Sequence, residues 1–196
     1  QIPRAHEFVS KKHWVNGVFP FTTSLAGKTI GIVGMGRIGQ ELADRLKAFK
    51  VKIAYHGPRD KHLPYPYISS LVELAKWSDV LILCCPGGKE TERMIHKEVL
   101  DALGPSSYLI NVARGSVVNE SDLLFALQNQ IIAGAALDVF ENEPNLDPQF
   151  LELSNVLLTP HIGSATRATR YAMMNLAIDN LLVGLAGQRP PNLLNP

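Results

Sequence analysis

The sequence predicts an α/β fold built on a doubly wound parallel sheet with helices on both faces. Two observations lead to this prediction. Short apolar runs alternate with segments of helical periodicity along most of the chain, a pattern typical of parallel strands buried on both faces. A glycine-rich turn, Gly34-Met-Gly-Arg-Ile-Gly39, joins the first apolar run to the first helical segment. The chain has 196 residues, of which 46% are hydrophobic, and this is enough to bury one sizeable core.

Six apolar runs are predicted to form the strands. The first, Lys28-Thr-Ile-Gly-Ile-Val33, is rich in β-branched residues and ends in glycine, as strands that lead into tight turns do. The other five runs cover residues 51–55, 80–85, 108–112, 131–139 and 156–158.

Helical segments are predicted between most of these runs, at residues 37–49, 71–77, 97–103 and 121–128. In the first of them, Ile38, Leu42 and Leu46 recur at the spacing of one helix face. Asn119 stands where an N-cap of the last helix is expected, because its side chain can accept a hydrogen bond from a free backbone N–H of the first turn.

The two ends of the chain differ from this alternating middle. Residues 1–24 are predicted to be a lead-in helix and loop outside the sheet, either an arm that contacts a second copy or a helix packed on its own domain. Residues 25–187 are predicted to be the main domain, including a long amphipathic helix from Ser164 onwards that packs on it. Residues 188–196 are predicted to be a C-terminal tail.

Charge and cysteine content limit the classes of partner. Lys and Arg total 19 against 18 Asp and Glu, so the net charge is too small to favour nucleic acid or an anionic membrane, and a small molecule is the expected partner.

The only cysteines, Cys84 and Cys85, are neighbours inside an apolar run and suit a reducing cytosol. No apolar run approaches the roughly 20 residues that span a bilayer. We therefore expect a cytoplasmic protein.

The glycine turn predicts a dinucleotide site. It fits G-x-G-x-x-G directly after a strand and at the start of a helix. Gly34 would make the turn, Gly36 would let a pyrophosphate approach the backbone, and Gly39 would let helix and strand pack closely. The N-terminus of the helix would supply amide donors to the phosphates. In this context the motif indicates that residues 25–187 are a Rossmann-type dinucleotide-binding domain.

The end of the second strand favours NADP over NAD. A carboxylate that binds the adenosine ribose is expected there, about 20 residues after the glycine turn. His56 and Gly57 occupy this place, Arg59 and Lys61 follow, and the nearest carboxylate, Asp60, lies two to three residues too far along. A carboxylate would repel a 2′-phosphate, whereas Arg can bind it through two parallel hydrogen bonds. NAD stays the alternative if Arg59 is only a solvated charge.

Three polar stretches follow later strands, at residues 111–115, 137–144 and 159–166. Ligands of doubly wound sheets bind at the carboxyl ends of the strands, so all three stretches are expected to face the cofactor. Taken singly, Arg114 could be a surface charge, Glu143 a loop carboxylate and His161 a histidine satisfied near a helix start.

Together these stretches resemble the D-isomer-specific 2-hydroxyacid dehydrogenases, in the family's order, from about Leu25 to Pro196. The resemblance implies that Arg114, Glu143 and His161 are catalytic, and that Asp138 lies beside the nicotinamide carboxamide. The predicted cofactor contacts are Gly34, Gly36, Arg37, Ile38, Gly39, His56, Gly57, Arg59, Cys85, Pro86, Thr91, Val112, Ala113, Asp138 and Gly163. No metal site is predicted.

The residue types suit the reduction of a small 2-oxo acid. An unperturbed histidine has a pKa of about 6.5, so this residue type at position 161 can deliver a proton near neutral pH. Glu143 would orient its ring, and Arg114 would hold the substrate carboxylate. Glu143, where the formate-oxidising branch has Gln, indicates the proton-handling branch. The NADP-type loop is similar to those of glyoxylate/hydroxypyruvate and hydroxyphenylpyruvate reductases, and we favour the former.

The resemblance also implies that a substrate domain is largely absent, because the family builds it mainly from about a hundred residues before the cofactor domain. We therefore expect this chain to bind NADP(H) with little or no turnover alone. A dinucleotide-sensing protein of the corepressor type and an NAD-dependent dehydrogenase stay open as alternatives. The family commonly dimerises through the cofactor domain, so we expect a homodimer.

Overall fold

The computed structural model describes residues 1–193, so residues 194–196 of the predicted tail lie outside the described part of the chain. Its centre is one sheet of six parallel strands in the order β2-β1-β3-β4-β5-β6. Every predicted strand is present, although most are shorter than predicted. The strands are β1 Thr29–Val33, β2 Lys52–His56, β3 Val80–Leu83, β4 Tyr108–Asn111, β5 Gly134–Leu137 and β6 Val156–Leu158.

The helices also follow the prediction closely. The predicted cap at Asn119 is confirmed, since its side chain accepts a hydrogen bond from the N–H of Asp122. The predicted helix at residues 37–49 ends as an α-helix at Leu46 and continues as a 3₁₀ turn to Phe49. The α-helices are α1 Ile2–Ser10, α2 Arg37–Leu46, α3 Leu71–Trp77, α4 Lys97–Leu103, α5 Glu120–Gln128 and α6 Arg167–Leu185.

Alternating side chains of the strands form two apolar layers. Ile30 and Ile32 of β1 pack on the side of α2, where they meet its buried Ala43. Val33, one residue on, belongs to the larger layer that α3, α4 and α5 cover. Successive side chains of a strand point to opposite faces, so both faces carry helices, as predicted. The side of α2 is less complete, because Tyr108 and Leu157 stay 40% and 46% exposed.

The strand order places the candidate site. The chain moves outward from β1 to β2 and then returns to the other side of β1 to form β3. The connections after β1 and β3 therefore leave in opposite directions and open a crevice at the carboxyl edge of the sheet, which is where doubly wound sheets bind ligands.

Helix α6 corrects one prediction. A long helix at the C-terminal end is confirmed, with Thr166 as its cap, but its predicted packing on the domain is wrong. None of its residues is buried within the described chain, and Tyr171, Leu181 and Leu185 are 61%, 61% and 76% exposed. Helix α6 follows β6, the edge strand, and its apolar side chains stay exposed within residues 1–193 because it does not pack against the sheet.

The lead-in segment forms the predicted helix α1, and it packs mainly on itself. Phe8 makes edge-on contacts with the rings of His13 and Phe19. Trp14 and Phe21 are exposed, and no residue of α1 is buried. Among residues 1–193, no helix has both the length and the apolar character needed to cross a membrane.

Candidate cofactor groove and active site

A groove of about 1030 Å³ runs along the carboxyl edge of the sheet. It brings together ten of the residues that the sequence predicts for cofactor binding or catalysis. These residues are Gly36, Arg37, Ile38, Cys85, Pro86, Val112, Ala113, Arg114, Glu143 and His161.

The three motif glycines have different surroundings. Gly34 has a φ of +95°, and a Cβ there would lie 2.5 Å from the backbone nitrogen of Cys85. A Cβ on Gly39 would lie 2.3 Å from the carbonyl oxygen of Gly34, so this glycine lets α2 approach β1. A Cβ on Gly36 would meet no atom within 4 Å. The outer two glycines therefore serve the packing of the protein, whereas Gly36 faces open space at the N-terminus of α2.

The end of β2 lies beside the glycine turn, since the Gly34 N–H donates to the His56 carbonyl. Asp60, the nearest carboxylate, is engaged by its own loop through hydrogen bonds from the Tyr55 hydroxyl and the His62 N–H. These two bonds, the one from Tyr55 foremost, lower the pKa of the Asp60 carboxyl. Arg59 is exposed beside it. The loop thus presents a guanidinium, while its carboxylate is occupied.

The segment after β3 lines the groove with two thiols. Cys84 and Cys85 are both free. Burial raises the pKa of Cys84 to about 11 and also raises the pKa of Cys85, so both stay protonated and unreactive at neutral pH. Thr91 lies outside the groove lining, and its hydroxyl donates to the carbonyl of Pro86 at 2.8 Å. Thr91 therefore stabilises this segment from behind.

The segment after β4 carries Arg114 on a turn that a buried amide stabilises. The side chain of Asn111 accepts a hydrogen bond from the Ala113 N–H at 3.0 Å and donates to the Arg114 carbonyl at 3.1 Å. Gly87 makes room for the arginine, because a Cβ there would lie 2.8 Å from Arg114 Cγ. The guanidinium is thereby held in the groove lining, where it can bind an anion.

Glu143 and His161 form the hydrogen-bonded pair that the sequence predicts. His161 Nδ1 lies 2.7 Å from Glu143 Oε2, and Glu143 Oε1 accepts a hydrogen bond from the Phe140 N–H at 3.0 Å. The bond with His161 lowers the pKa of the Glu143 carboxyl, against the smaller opposing effect of its burial. Glu143 is therefore a carboxylate at neutral pH, and it leaves Nε2 as the ring nitrogen available to a ligand.

Asp138 anchors the turn that carries His161, which has a positive φ of 53°. One carboxylate oxygen accepts hydrogen bonds from the Thr159 hydroxyl and the Ile162 N–H, and the other accepts from the Gly163 N–H. Burial raises the pKa of Asp138, but these bonds together outweigh it and leave the pKa below its ordinary value. Asp138 lies outside the groove lining, so its observed contacts are structural.

The residues that line the groove differ in part from the predicted site residues. Besides Thr91 and Asp138, the predicted residues that do not line the groove are Gly34, Gly39, His56, Gly57, Arg59 and Gly163. Residues that line it without having been named as contacts are Cys84, Gly87, Gly115, Ser116, Phe140 and Glu141. Three of these, Gly115, Phe140 and Glu141, lie within the stretches that were expected to face the cofactor, and the other three directly adjoin predicted residues.

A parallel sheet with a glycine turn at its crevice and a polar groove at its carboxyl edge defines a dinucleotide-binding domain of the Rossmann class. Residues 1–163 match the family described as "D-isomer specific 2-hydroxyacid dehydrogenase, NAD binding domain". The chain belongs to this family, as its resemblance to the family implied.

Three similar proteins illustrate the family. A 2-ketogluconate reductase of Gluconobacter oxydans is 46% identical over 89% of this chain and 57% of its own length. A hydroxyphenylpyruvate reductase of Plectranthus scutellarioides is 42% identical over 96% of this chain and 60% of its own. The crystal structure of an NADPH-dependent glyoxylate/hydroxypyruvate reductase of Sinorhizobium meliloti with NADP and malonate is 47% identical, covers 93% of this chain and 58% of its own, and has a TM-score of 0.89. The chain thus spans less than two thirds of these relatives.

Proposed function

We propose that this chain supplies the cofactor domain and the catalytic groups of an enzyme that reduces a small 2-oxo acid with NADPH. The observation that carries the proposal is the 2.7 Å contact between His161 Nδ1 and Glu143 Oε2 in the groove that also contains Arg114. An acid with its orienting carboxylate and a cation for the substrate are the groups that this reduction requires. A binding protein that only senses the dinucleotide needs no such pair.

The groove has the features that a dinucleotide requires. Gly36 leaves open space at the N-terminus of α2, where backbone N–H groups can bind a pyrophosphate. Arg37 and Ile38 line the groove beside it. When bound, NADPH would supply the hydride that reduces the carbonyl carbon. The NADP in the related Sinorhizobium meliloti structure supports this choice, and Arg59 at the end of β2 supports NADPH over NADH.

The three polar side chains divide the remaining chemistry. Arg114 holds the substrate carboxylate and polarises the adjacent carbonyl through charge-assisted hydrogen bonds. His161, protonated on both ring nitrogens, donates from Nε2 to the carbonyl oxygen as that oxygen gains negative charge. Glu143 stabilises the protonated ring at Nδ1. One hydride and one proton thus convert the 2-oxo acid into a 2-hydroxy acid, and in the reverse direction neutral His161 acts as the base.

The substrate class follows from the relatives. The three similar proteins are named as reductases of 2-ketogluconate, hydroxyphenylpyruvate and glyoxylate or hydroxypyruvate. We favour glyoxylate or hydroxypyruvate, with hydroxyphenylpyruvate as the alternative.

Two assays test this function. We expect the 196-residue chain to bind NADPH more tightly than NADH, as followed by the fluorescence of the reduced nicotinamide. We expect it to reduce glyoxylate or hydroxypyruvate with little or no turnover, because its relatives are longer and a closed site excludes water. Robust turnover by this chain alone would contradict the second expectation.

The catalytic assignment is tested in a full-length protein that carries this chain. His161→Ala should lower kcat by roughly a thousandfold, since general acid catalysis contributes about 10²–10⁴-fold. NADPH affinity should be unchanged. His96→Ala removes an exposed histidine outside the groove lining and is the control for turnover. Unchanged turnover in the His161 variant would remove the basis of the enzymatic assignment.

A homodimer and a cytoplasmic location complete the proposal. The exposed apolar side chains of the lead-in segment, among them Trp14, Val18 and Phe21, support contact with a second copy. Sedimentation at micromolar concentration tests this, and a monomer would contradict it.

The cytoplasmic location rests on the free thiols of Cys84 and Cys85 and is tested by cell fractionation.

A further inference from the structure

The loop that carries Glu143 is held against the connection between β4 and α5. The peptide between Phe140 and Glu141 packs on Gly115 so closely that a Cβ there would lie 1.9 Å from the Phe140 carbonyl carbon and 2.3 Å from the Glu141 nitrogen. The N–H of Glu141 donates to Glu120 Oε1 at 2.7 Å. Backbone packing and a hydrogen bond to a carboxylate therefore fix this one peptide from two sides.

The same peptide leads to the His161–Glu143 pair. Phe140, on one side of it, donates its N–H to Glu143 Oε1 at 3.0 Å, and the other oxygen of Glu143 bonds His161. Gly115 directly follows Arg114 in the chain. The connection that carries the arginine thus also determines where the carboxylate and the histidine lie.

We propose that Glu120 is a positioning residue: its carboxylate holds the Phe140–Glu141 peptide, packed on Gly115, and thereby keeps Glu143 in contact with His161. This proposal rests on the proposed function, in which that pair handles the proton. Glu120 acts through the backbone and does not line the groove. An exposed ion pair between Arg93 and Glu141 supports the same loop, but exposed pairs contribute little.

A simpler role for Glu120 has to be separated from this one. Glu120 is the first residue of α5, where a carboxylate favours the helix dipole whatever else it contacts. Glu98 offers a matched control, because it lies in the first turn of α4 and is exposed. Glu120→Gln offers the second control, because its amide oxygen can still accept the Glu141 N–H while the charge is lost.

The test measures the tautomer of His161 in the 196-residue chain by long-range ¹H–¹⁵N spectra. The spectra are recorded at a pH at which their ¹⁵N shifts show the neutral ring, and contact with Glu143 favours the proton on Nδ1. We expect Glu120→Ala to lower the ratio of Nδ1–H to Nε2–H roughly tenfold, as the loss of one hydrogen bond predicts. Glu120→Gln and Glu98→Ala should keep the ratio of the unchanged protein.

Three results would overturn the proposal: an unchanged ratio in Glu120→Ala, an equal fall in Glu98→Ala, or a fall in Glu120→Gln as large as in Glu120→Ala. Gly115→Ala provides a second test, because its methyl group must shift the Phe140–Glu141 peptide without altering Glu120. This variant should also lower the ratio. An unchanged ratio would contradict the proposal. The readout needs no turnover, so a full-length protein without reductase activity, in which Glu120→Ala still lowered the ratio as expected, would contradict the proposed function alone.

Discussion

The two ends of the parallel sheet both carry polar side chains, but they use them differently. At the amino end, Asp79 bonds the Lys28 ammonium at 2.7 Å and both the N–H and the hydroxyl of Thr29 at 2.8 Å. At the carboxyl end, Arg114 and His161 each make one side-chain hydrogen bond among residues 1–193 and line an open groove. A saturated cluster stabilises the fold, whereas groups that keep hydrogen-bonding capacity toward open space are available to a ligand.

The largest effect that would test this difference is expected at the glycine turn. Gly36→Ala adds a methyl group where no protein atom lies within 4 Å, in the space that we assign to the pyrophosphate. Gly36 has an extended backbone that alanine can adopt. We expect the Kd for NADPH to rise ten- to a hundredfold, because overpacking costs about 1–3 kcal/mol, while the free energy of unfolding falls by only about 1 kcal/mol for the weaker helix cap. Fluorescence titration and denaturant unfolding measure the two effects.

Gly39→Ala is the matched variant. Its Cβ would meet the Gly34 carbonyl at 2.3 Å, so the added methyl group strains the protein itself. We expect this variant to lose stability first, by about 3 kcal/mol, because the atom that its methyl group meets belongs to the backbone. If Gly36→Ala lost as much stability as Gly39→Ala, the space at Gly36 would not be a ligand site.

Asp79→Asn tests the saturated end. The Lys28 ammonium foremost, together with the hydrogen bonds from Thr29, lowers the pKa of Asp79 from 3.8 to about 2. A lowered carboxyl pKa stabilises the fold above the ordinary value, and this stabilisation is lost as pH falls from about 4 to 2. We expect Asp79→Asn to lower the free energy of unfolding by roughly 2 kcal/mol at neutral pH, and the difference to vanish near pH 2. NADPH affinity should not change.

An exposed pair of the same residue types is the control for Asp79. Lys97 and Asp101 bond each other on α4 with side chains that are 63% and 44% exposed. Asp101→Asn should cost no more than about 0.5 kcal/mol, because solvent screens such pairs. Equal losses in the two variants would show that the cluster at the amino end is not special.

The sequence predicts the strands and helices well because local signals determine them. Helices α3 and α4 begin and end at the predicted residues, and the cap at Asn119 is a local hydrogen bond. The packing of α6 could not be predicted, because its apolar residues reveal that it needs a partner surface but not which one. Likewise, the contact of Gly115 with Phe140 joins segments far apart in the chain, and only the folded structure brings them together.

The smallest predicted effect concerns Arg59, which lies at the carboxyl edge but outside the groove lining. Its guanidinium is exposed, so solvent weakens any bond that it makes to a 2′-phosphate, and we expect Arg59→Ala to weaken NADPH binding only about tenfold. NADH has no 2′-phosphate, so its Kd should stay unchanged. The ratio of the two constants is the informative quantity, because a general disturbance of the loop changes both. Arg170→Ala, which removes the same charge from exposed α6, should leave the ratio unaltered. Equal affinities of the unchanged protein for NADPH and NADH would refute the choice of NADP.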